Sequence, residues 1–133
     1  MKLKMLLRVI GVVQLVLGLL YLFIPMRFLA MMGLSVPQAD IAYPLGMLAA
    51  RFLAYGVGMF FIAREPDKQL FWINNMILIQ ALDLAVGIFY TATGSVELSH
   101  SGFPMFNATL FIILLTLWRP KAAVETTASG NKR

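Results

Sequence analysis

The chain lacks cysteine and is poor in histidine and in charged residues. None of its 133 residues is cysteine, and His100 is the single histidine. The absence of thiols excludes disulfides, thiolate metal sites and redox CxxC pairs, and one histidine cannot build a multi-histidine metal site. Charged residues make up 13% of the chain, whereas an average soluble domain has about 25%. The composition therefore argues against a secreted disulfide scaffold, and it predicts no metal site and no cofactor.

Signatures of catalysis are also missing. The chain has no glycine-rich phosphate loop, no HExxH helix and no Gly-x-Ser-x-Gly turn, which are the local motifs of nucleotide-binding proteins, zinc proteases and serine hydrolases. No serine stands at a spacing that would pair it with His100 as a nucleophile with its base. We therefore predict no catalytic residue, and an enzyme acting alone is disfavoured.

Apolar residues are abundant, at 60% of the chain, with a mean hydropathy of +0.82. A membrane-crossing helix needs about 20 mostly apolar residues, and four stretches meet this requirement, at about 5–24, 42–63, 70–93 and 103–118. The fold class predicted is all-α: one integral membrane four-helix bundle over 1–119. The tail, 120–133, lacks apolar periodicity and is predicted to be disordered. The first span resembles a signal peptide, but without a clear cleavage site we interpret it as a retained helix.

Basic residues are distributed unevenly along this pattern. Nine of the eleven lie before or at the start of span one, between spans two and three, or after span four: Lys2, Lys4, Arg8, Arg64, Lys68, Arg119, Lys121, Lys132 and Arg133. Arg27 alone lies on the opposite side. Because positive residues concentrate in cytoplasmic segments, both termini are predicted to be cytoplasmic. The net charge of +5 is explained by this asymmetry, so no nucleic-acid partner is predicted.

Small residues predict how the helices pack. In span two they recur every four positions: Ala42, Gly46, Ala50, Ala54 and Gly58. Because small residues let membrane helices approach closely, span two is expected at the centre of the bundle and span four nearer the lipid. The connection between spans two and three is short, so these spans are expected to be antiparallel neighbours. The segment PMRFLAMMGL after span one fits either a short amphipathic turn or a plain loop.

Two charged residues lie within the predicted spans, Arg51 and Asp83. Each is sixteen residues from Asp67, so the two reach the same depth when the hairpin folds. A charge within a membrane span needs a partner or a wet cavity. Further polar residues share this region, and the candidate cluster is Arg51, Tyr55, Gln80, Asp83 and Asn107.

Two interpretations of this cluster stay open. In the first, Arg51 and Asp83 form an ion pair that fixes the register of the hairpin. In the second, the cluster lines a pocket for a polar or anionic head group. His100 is interpreted as an ordinary residue of a polar outer loop, GSVELSHSG.

The chain resembles the small DoxX-like membrane proteins, and within them the BphX-like group. The resemblance is carried by RVIGVVQLVLGLLYLFIP, by AARFLAYGVGMFF with its arginine, and by QALDLAVGIFY, and it extends to Arg119. It implies a multi-pass protein of the bacterial inner membrane, associated in some relatives with quinol oxidase or other redox complexes. It implies no catalytic residue.

These observations favour an accessory subunit or assembly module that joins a larger membrane complex. Assembly with further copies of the same chain, as a homo-oligomer, is the other form of association expected. The first alternative is a binder or carrier of a lipid-like or quinone-like molecule. A second, weaker alternative is a proton-coupled small transporter in which Asp83 titrates. The partners expected are thus the bilayer, a membrane complex or second copy, and a lipid or quinone ligand.

Overall fold

The structure is a computed structural model that describes residues 1–35 and 37–121. It is helical, and neither described range contains a β-strand. Its α-helices are α1 Lys2–Phe23, α2 Pro25–Met31, α3 Ala42–Ile62, α4 Leu70–Ala92 and α5 Leu98–Trp118. All but α2 are long and apolar enough to cross a membrane, which confirms four long apolar helices; their length and composition indicate a multi-pass membrane protein. Most of the tail predicted to be disordered lies outside the described residues.

Helix α5 begins earlier than the sequence indicated, so the expectation of a polar loop up to Gly102 is wrong for its second half. Glu97 is extended at the N-cap, and its carbonyl accepts hydrogen bonds from the backbone N–H groups of His100 and Ser101. Pro104 lies inside the helix, where the missing N–H of proline disfavours a helix interior. The apolar run begins only at Phe103, after the polar residues of 94–102, and this is why the sequence pattern placed the start later. His100 is consequently a helical residue.

The segment after α1 forms a helix rather than a plain loop. Pro25 occupies the first turn of α2, where its fixed φ suits a helix. Gly33 follows the helix with φ +76, a left-handed conformation that glycine adopts without steric cost. Helix α2 lies at one end of the bundle, against α1 and α3, and this end is called here the α2 end. The opposite end, with Lys2, Ile62, Leu70 and Trp118, is the terminal end.

Helices α1 and α3 form the closest antiparallel pair. A Cβ atom added to Gly56 would lie 3.1 Å from the Gly11 carbonyl oxygen, and one added to Gly18 would lie 3.1 Å from the Leu53 backbone nitrogen. The two backbones therefore approach closely at both glycines of α1, as small residues permit. Helices α4 and α5 form the second extensive pair, and α1 joins the two pairs by also contacting α5.

The expectation that α3 and α4 are packed neighbours is wrong. Their backbones make hardly any contact, although a Tyr55 hydroxyl lies 3.5 Å from the Asn75 side-chain nitrogen. The connection, 63–69, includes the Pro66–Lys68 turn, and at about 3.3 Å per residue it can span more than the 8–10 Å between packed helices. The connection is therefore long enough for α4 to lie away from α3, and its length did not require the two helices to pack together. Span one, rather than span two, is the helix that links the bundle.

The small-residue stripe of α3 is not what packs against α1. Ala50 and Ala54 are exposed, and Cβ atoms added to Gly46 and Gly58 would meet nothing within 4 Å. Ala49 and Gly56 are the buried small residues of this helix. The stripe therefore packs against no backbone of another described helix, although Trp72 of α4 lines the same cavity as Ala54 and Gly58.

A dry core closes the terminal end of the bundle. All four long helices contribute fully buried side chains to it, including Leu7 of α1, Met59 of α3, Met76 of α4 and Leu115 of α5. Outside it, the Arg119 guanidinium donates a 2.7 Å hydrogen bond to the Asn74 side-chain oxygen. Towards the α2 end the core gives way to a cavity, where the Thr91 and Ser101 hydroxyls hold α4 against α5 at 2.7 Å.

Candidate functional site

A cavity of about 640 Å³ lies at the α2 end and is called here the α2-end cavity. Its volume falls in the range of small-molecule sites. All five helices contribute to its lining, mostly with apolar side chains. The polar and aromatic residues among the lining are Gln14, Tyr21, Phe28, Phe52, Gln80, Asp83, Tyr90, His100, Ser101, Phe103, Asn107 and Phe111.

Two buried glutamines form the polar floor of this cavity. Gln14 and Gln80 are 4% and 5% exposed, and they are the buried polar side chains of the described bundle. Each lies one turn beyond a core residue, Ile10 and Met76 respectively. Carboxamides at this depth are costly to bury without hydrogen-bond partners. The change from a dry core to these two amides therefore marks the level at which the bundle interior becomes polar.

The Gln14 amide has no protein hydrogen-bond partner among the described residues, while the Gln80 amide nitrogen has only the Met76 sulfur at 3.7 Å. No side-chain nitrogen or oxygen that is sealed from solvent in the described part lacks a partner. The Gln14 amide consequently keeps access to the cavity space. Two donor and acceptor groups are thus available there to a bound molecule.

One wall of the cavity is aromatic. The ring of Tyr21 packs edge-on against Phe28 of α2, with centroids 4.9 Å apart, and stacks on Phe52 of α3 at 5.9 Å. These rings join α1, α2 and α3 along the cavity. They give the wall a rigid, polarisable surface suited to an apolar or cationic group.

The cavity opens to the outside along α4. Asp83 is exposed and also lines the cavity, as do Val86 and Tyr90, one and two turns further along the helix. Because α3 and α4 hardly touch, this side of the cavity is not closed by a helix pair. A molecule moving within a surrounding bilayer could therefore reach the floor without passing through the dry core.

The rim at the α2 end is formed by α2 and the first turns of α5. A Cβ atom added to Gly33 would lie 2.5 Å from Nε2 of His100, so the imidazole packs directly on this glycine. His100 thus belongs to the cavity lining, a placement that its position in a polar segment did not indicate. Tyr21, Phe28 and Phe52 were also missed, because aromatic residues in apolar spans are typical of ordinary lipid-facing or core positions. Gln14 offered a signal, as a single amide within an apolar run.

A second cavity of about 620 Å³, called here the α3 groove, lies between α3 and the first turn of α4. Arg51, Tyr55 and Gln69 give it polar groups, and its remaining lining is Ala54, Gly58, Met59, Phe61, Ile62 and Trp72. Two small residues of the stripe, Ala54 and Gly58, line this groove. Arg51 is exposed within it.

The predicted polar cluster is therefore divided between the two cavities. Gln80, Asp83 and Asn107 line the α2-end cavity, whereas Arg51 and Tyr55 line the α3 groove. Successive helix positions differ by about 100°, so Phe52 faces the α2-end cavity while its neighbour Arg51 faces the groove. In the described ranges the one ion pair within 4.0 Å joins Lys68 to Glu65. The expected Arg51–Asp83 ion pair is thus not formed in this structure.

The described residues contain no group of three histidine, cysteine, aspartate or glutamate side chains placed to hold a metal ion. The groups that line the α2-end cavity can donate and accept hydrogen bonds and present one carboxyl group. This chemistry suits recognition of a molecule with a polar group and an apolar body. No family model, curated protein or solved structure matches the chain.

Proposed function

We propose that the protein binds one lipid-like molecule in the α2-end cavity, with the polar group of that molecule at the Gln14 and Gln80 amides and its apolar part along the cavity walls. The observation that carries the proposal is the Gln14 side chain, 4% exposed, whose amide has no partner among the described residues and opens on the cavity. A structural core would favour leucine at this position, since an amide without a partner is costly to bury. A bound polar group would supply the missing hydrogen bonds.

The membrane setting of this proposal follows from the distribution of charge. We place the chain in the inner membrane of a bacterium, with both termini and the connection between α3 and α4 on the cytoplasmic side. Most basic residues lie at the terminal end. The α2-end cavity then lies in the outer half of the bilayer. The resemblance to DoxX-like proteins supports the same setting and is itself part of the proposal.

Gln14→Leu is expected to remove the bound molecule while the free energy of unfolding of the ligand-free protein rises. Leucine has nearly the volume of glutamine and needs no hydrogen bond. Native mass spectrometry of protein extracted gently from membranes measures retention as one added small-molecule mass. Urea unfolding of delipidated protein in micelles measures stability.

The matched control is Gln69→Leu, the same change at a residue that lines the α3 groove. It should leave the added mass in place. If Gln14→Leu keeps the added mass and Gln69→Leu loses it, the bound molecule lies in the α3 groove and not in the α2-end cavity. Absence of any added mass from the unaltered protein would contradict the proposal itself.

A second candidate function is an accessory subunit of a larger membrane complex. It is favoured by the small-residue stripe of α3, where Ala50, Ala54 and Gly58 leave room for another backbone. A photo-crosslinking residue at position 54 tests it in native membranes. A defined protein adduct from position 54, absent when the crosslinker is at the exposed position 113 of α5, supports a partner on this face; lipid adducts alone argue against it.

A further inference from the structure

The charge of the cavity lining narrows the class of molecule that the α2-end cavity can hold. Of the described residues that line it, none is lysine or arginine, His100 is the one histidine, and Asp83 is the one acidic residue. Arg51, which would have supplied a positive charge, lines the α3 groove instead. Arg27 lies beside Phe28 on α2, but it is exposed and does not line the cavity.

The Asp83 carboxylate has no basic partner within 4.0 Å in the described part of the chain. A charged group within an apolar span is costly unless it finds a counter-charge. The polar floor offers only neutral amides, which can accept as well as donate hydrogen bonds. A ligand that carries a positive charge would therefore complete the electrostatics of the site, whereas an anionic head group would meet an unfavourable like charge.

The aromatic wall is a second, independent feature that favours a positively charged ligand. Tyr21, Phe28 and Phe52 pack together along the cavity. The faces of aromatic rings attract cations, and quaternary ammonium groups in particular are bound among such rings. Alkyl chains also pack well on these rings, so the wall suits both parts of a cationic amphiphile.

We propose that the α2-end cavity selects an amphiphile with a cationic, ammonium-type head group, held between the Asp83 carboxylate and the rings of Tyr21, Phe28 and Phe52. The proposal rests on the proposed function, since it specifies the ligand of the same cavity. It departs from the expectation of an anionic head group, because that expectation required Arg51 to line the site.

Three probes with the same alkyl chain test the preference: hexadecyltrimethylammonium, hexadecanol and hexadecyl sulfate. Each is titrated onto full-length protein in dodecyl maltoside micelles, whose uncharged head groups carry no ammonium that could compete, with empty micelles measuring partition into the detergent. The ammonium probe is expected to bind saturably and about tenfold or more tightly than the alcohol, and the sulfate weakest. Asp83→Asn should weaken the ammonium probe about tenfold and leave the alcohol unchanged.

Asp67→Asn is the matched control, because it removes the same charge from the exposed turn between α3 and α4. It should preserve the order of the probes. Tyr21→Leu removes one ring without changing charge and should weaken the ammonium probe selectively. The order of affinities of the three probes for the unaltered protein tests the cationic preference even where a variant fails to fold.

Different outcomes overturn different claims. Saturable binding of all three probes with the alcohol or the sulfate equal to or tighter than the ammonium probe overturns the cationic preference and leaves the proposed function standing. Asp83→Asn with an undiminished ammonium preference also overturns it. Failure of every probe to bind saturably, in protein shown to be folded, overturns both.

Discussion

Replacing Gly56 by alanine is expected to lower the free energy of unfolding by about 1–3 kcal/mol, the cost of overpacking a tight contact. The added Cβ atom would lie 3.1 Å from the Gly11 carbonyl oxygen and 2.8 Å from the Leu15 side chain. Leu15 can change rotamer, but the backbone of α1 cannot yield without moving the helix. Since α1 links the two helix pairs, a shift here loosens the whole bundle.

Gly58→Ala is the matched control for this prediction. It makes the same change two residues along the same helix, where an added Cβ atom would meet nothing within 4 Å. It should leave stability unchanged or raise it by up to about 1 kcal/mol, because alanine favours the helix over glycine. Urea unfolding in micelles, followed by circular dichroism, measures both. Equal stabilisation by the two substitutions would show that α1 and α3 do not pack as described.

The number and approximate bounds of the long helices could be predicted from the sequence, because long apolar runs have few alternatives once a chain is this hydrophobic. Which helices pack against one another could not be predicted in the same way. In a soluble protein, apolar residues identify the buried face of a helix, but a lipid-facing side is equally apolar. Phe71 and Phe89, for example, are both exposed, and nothing in their pattern distinguishes them from core residues.

Small residues were ambiguous for the same reason. The stripe from Ala42 to Gly58 is longer and more regular than the pair Gly11 and Gly18 in α1, yet the pair makes the closest contact with α3. Periodicity shows that a backbone could approach on a given face. It does not show which helix approaches, and the longer stripe of α3 packs against no backbone of another described helix.

The candidate site was predictable in part. Gln80 and Asp83 are three residues apart on one helix, so their common face follows from helical geometry alone, and both line the α2-end cavity. Arg51 was grouped with them by depth, which fixes a position along the bundle axis but not around it. The rotation of α3 about its axis depends on its contact at Gly56, and that contact involves residues far away in sequence.

Leu115→Ala is expected to lower the free energy of unfolding by about 2–5 kcal/mol, the usual cost of a cavity at a fully buried leucine. Leu115 is 0% exposed in the terminal-end core. Within a bilayer the loss comes from packing contacts that lipid cannot replace in the bundle interior. Leu117→Ala, at a side chain 70% exposed on the same helix, is the control and should cost much less.

The same variant separates stability from binding. Leu115 lies in the dry core of the terminal end and does not line the α2-end cavity, so Leu115→Ala should retain the bound molecule under conditions where the protein stays folded. Gln14→Leu should show the reverse, a more stable protein without the molecule. If Leu115→Ala lost the molecule while remaining folded, the core and the cavity would be coupled, and the buried amide of Gln14 would have to be explained as part of one cooperative interior.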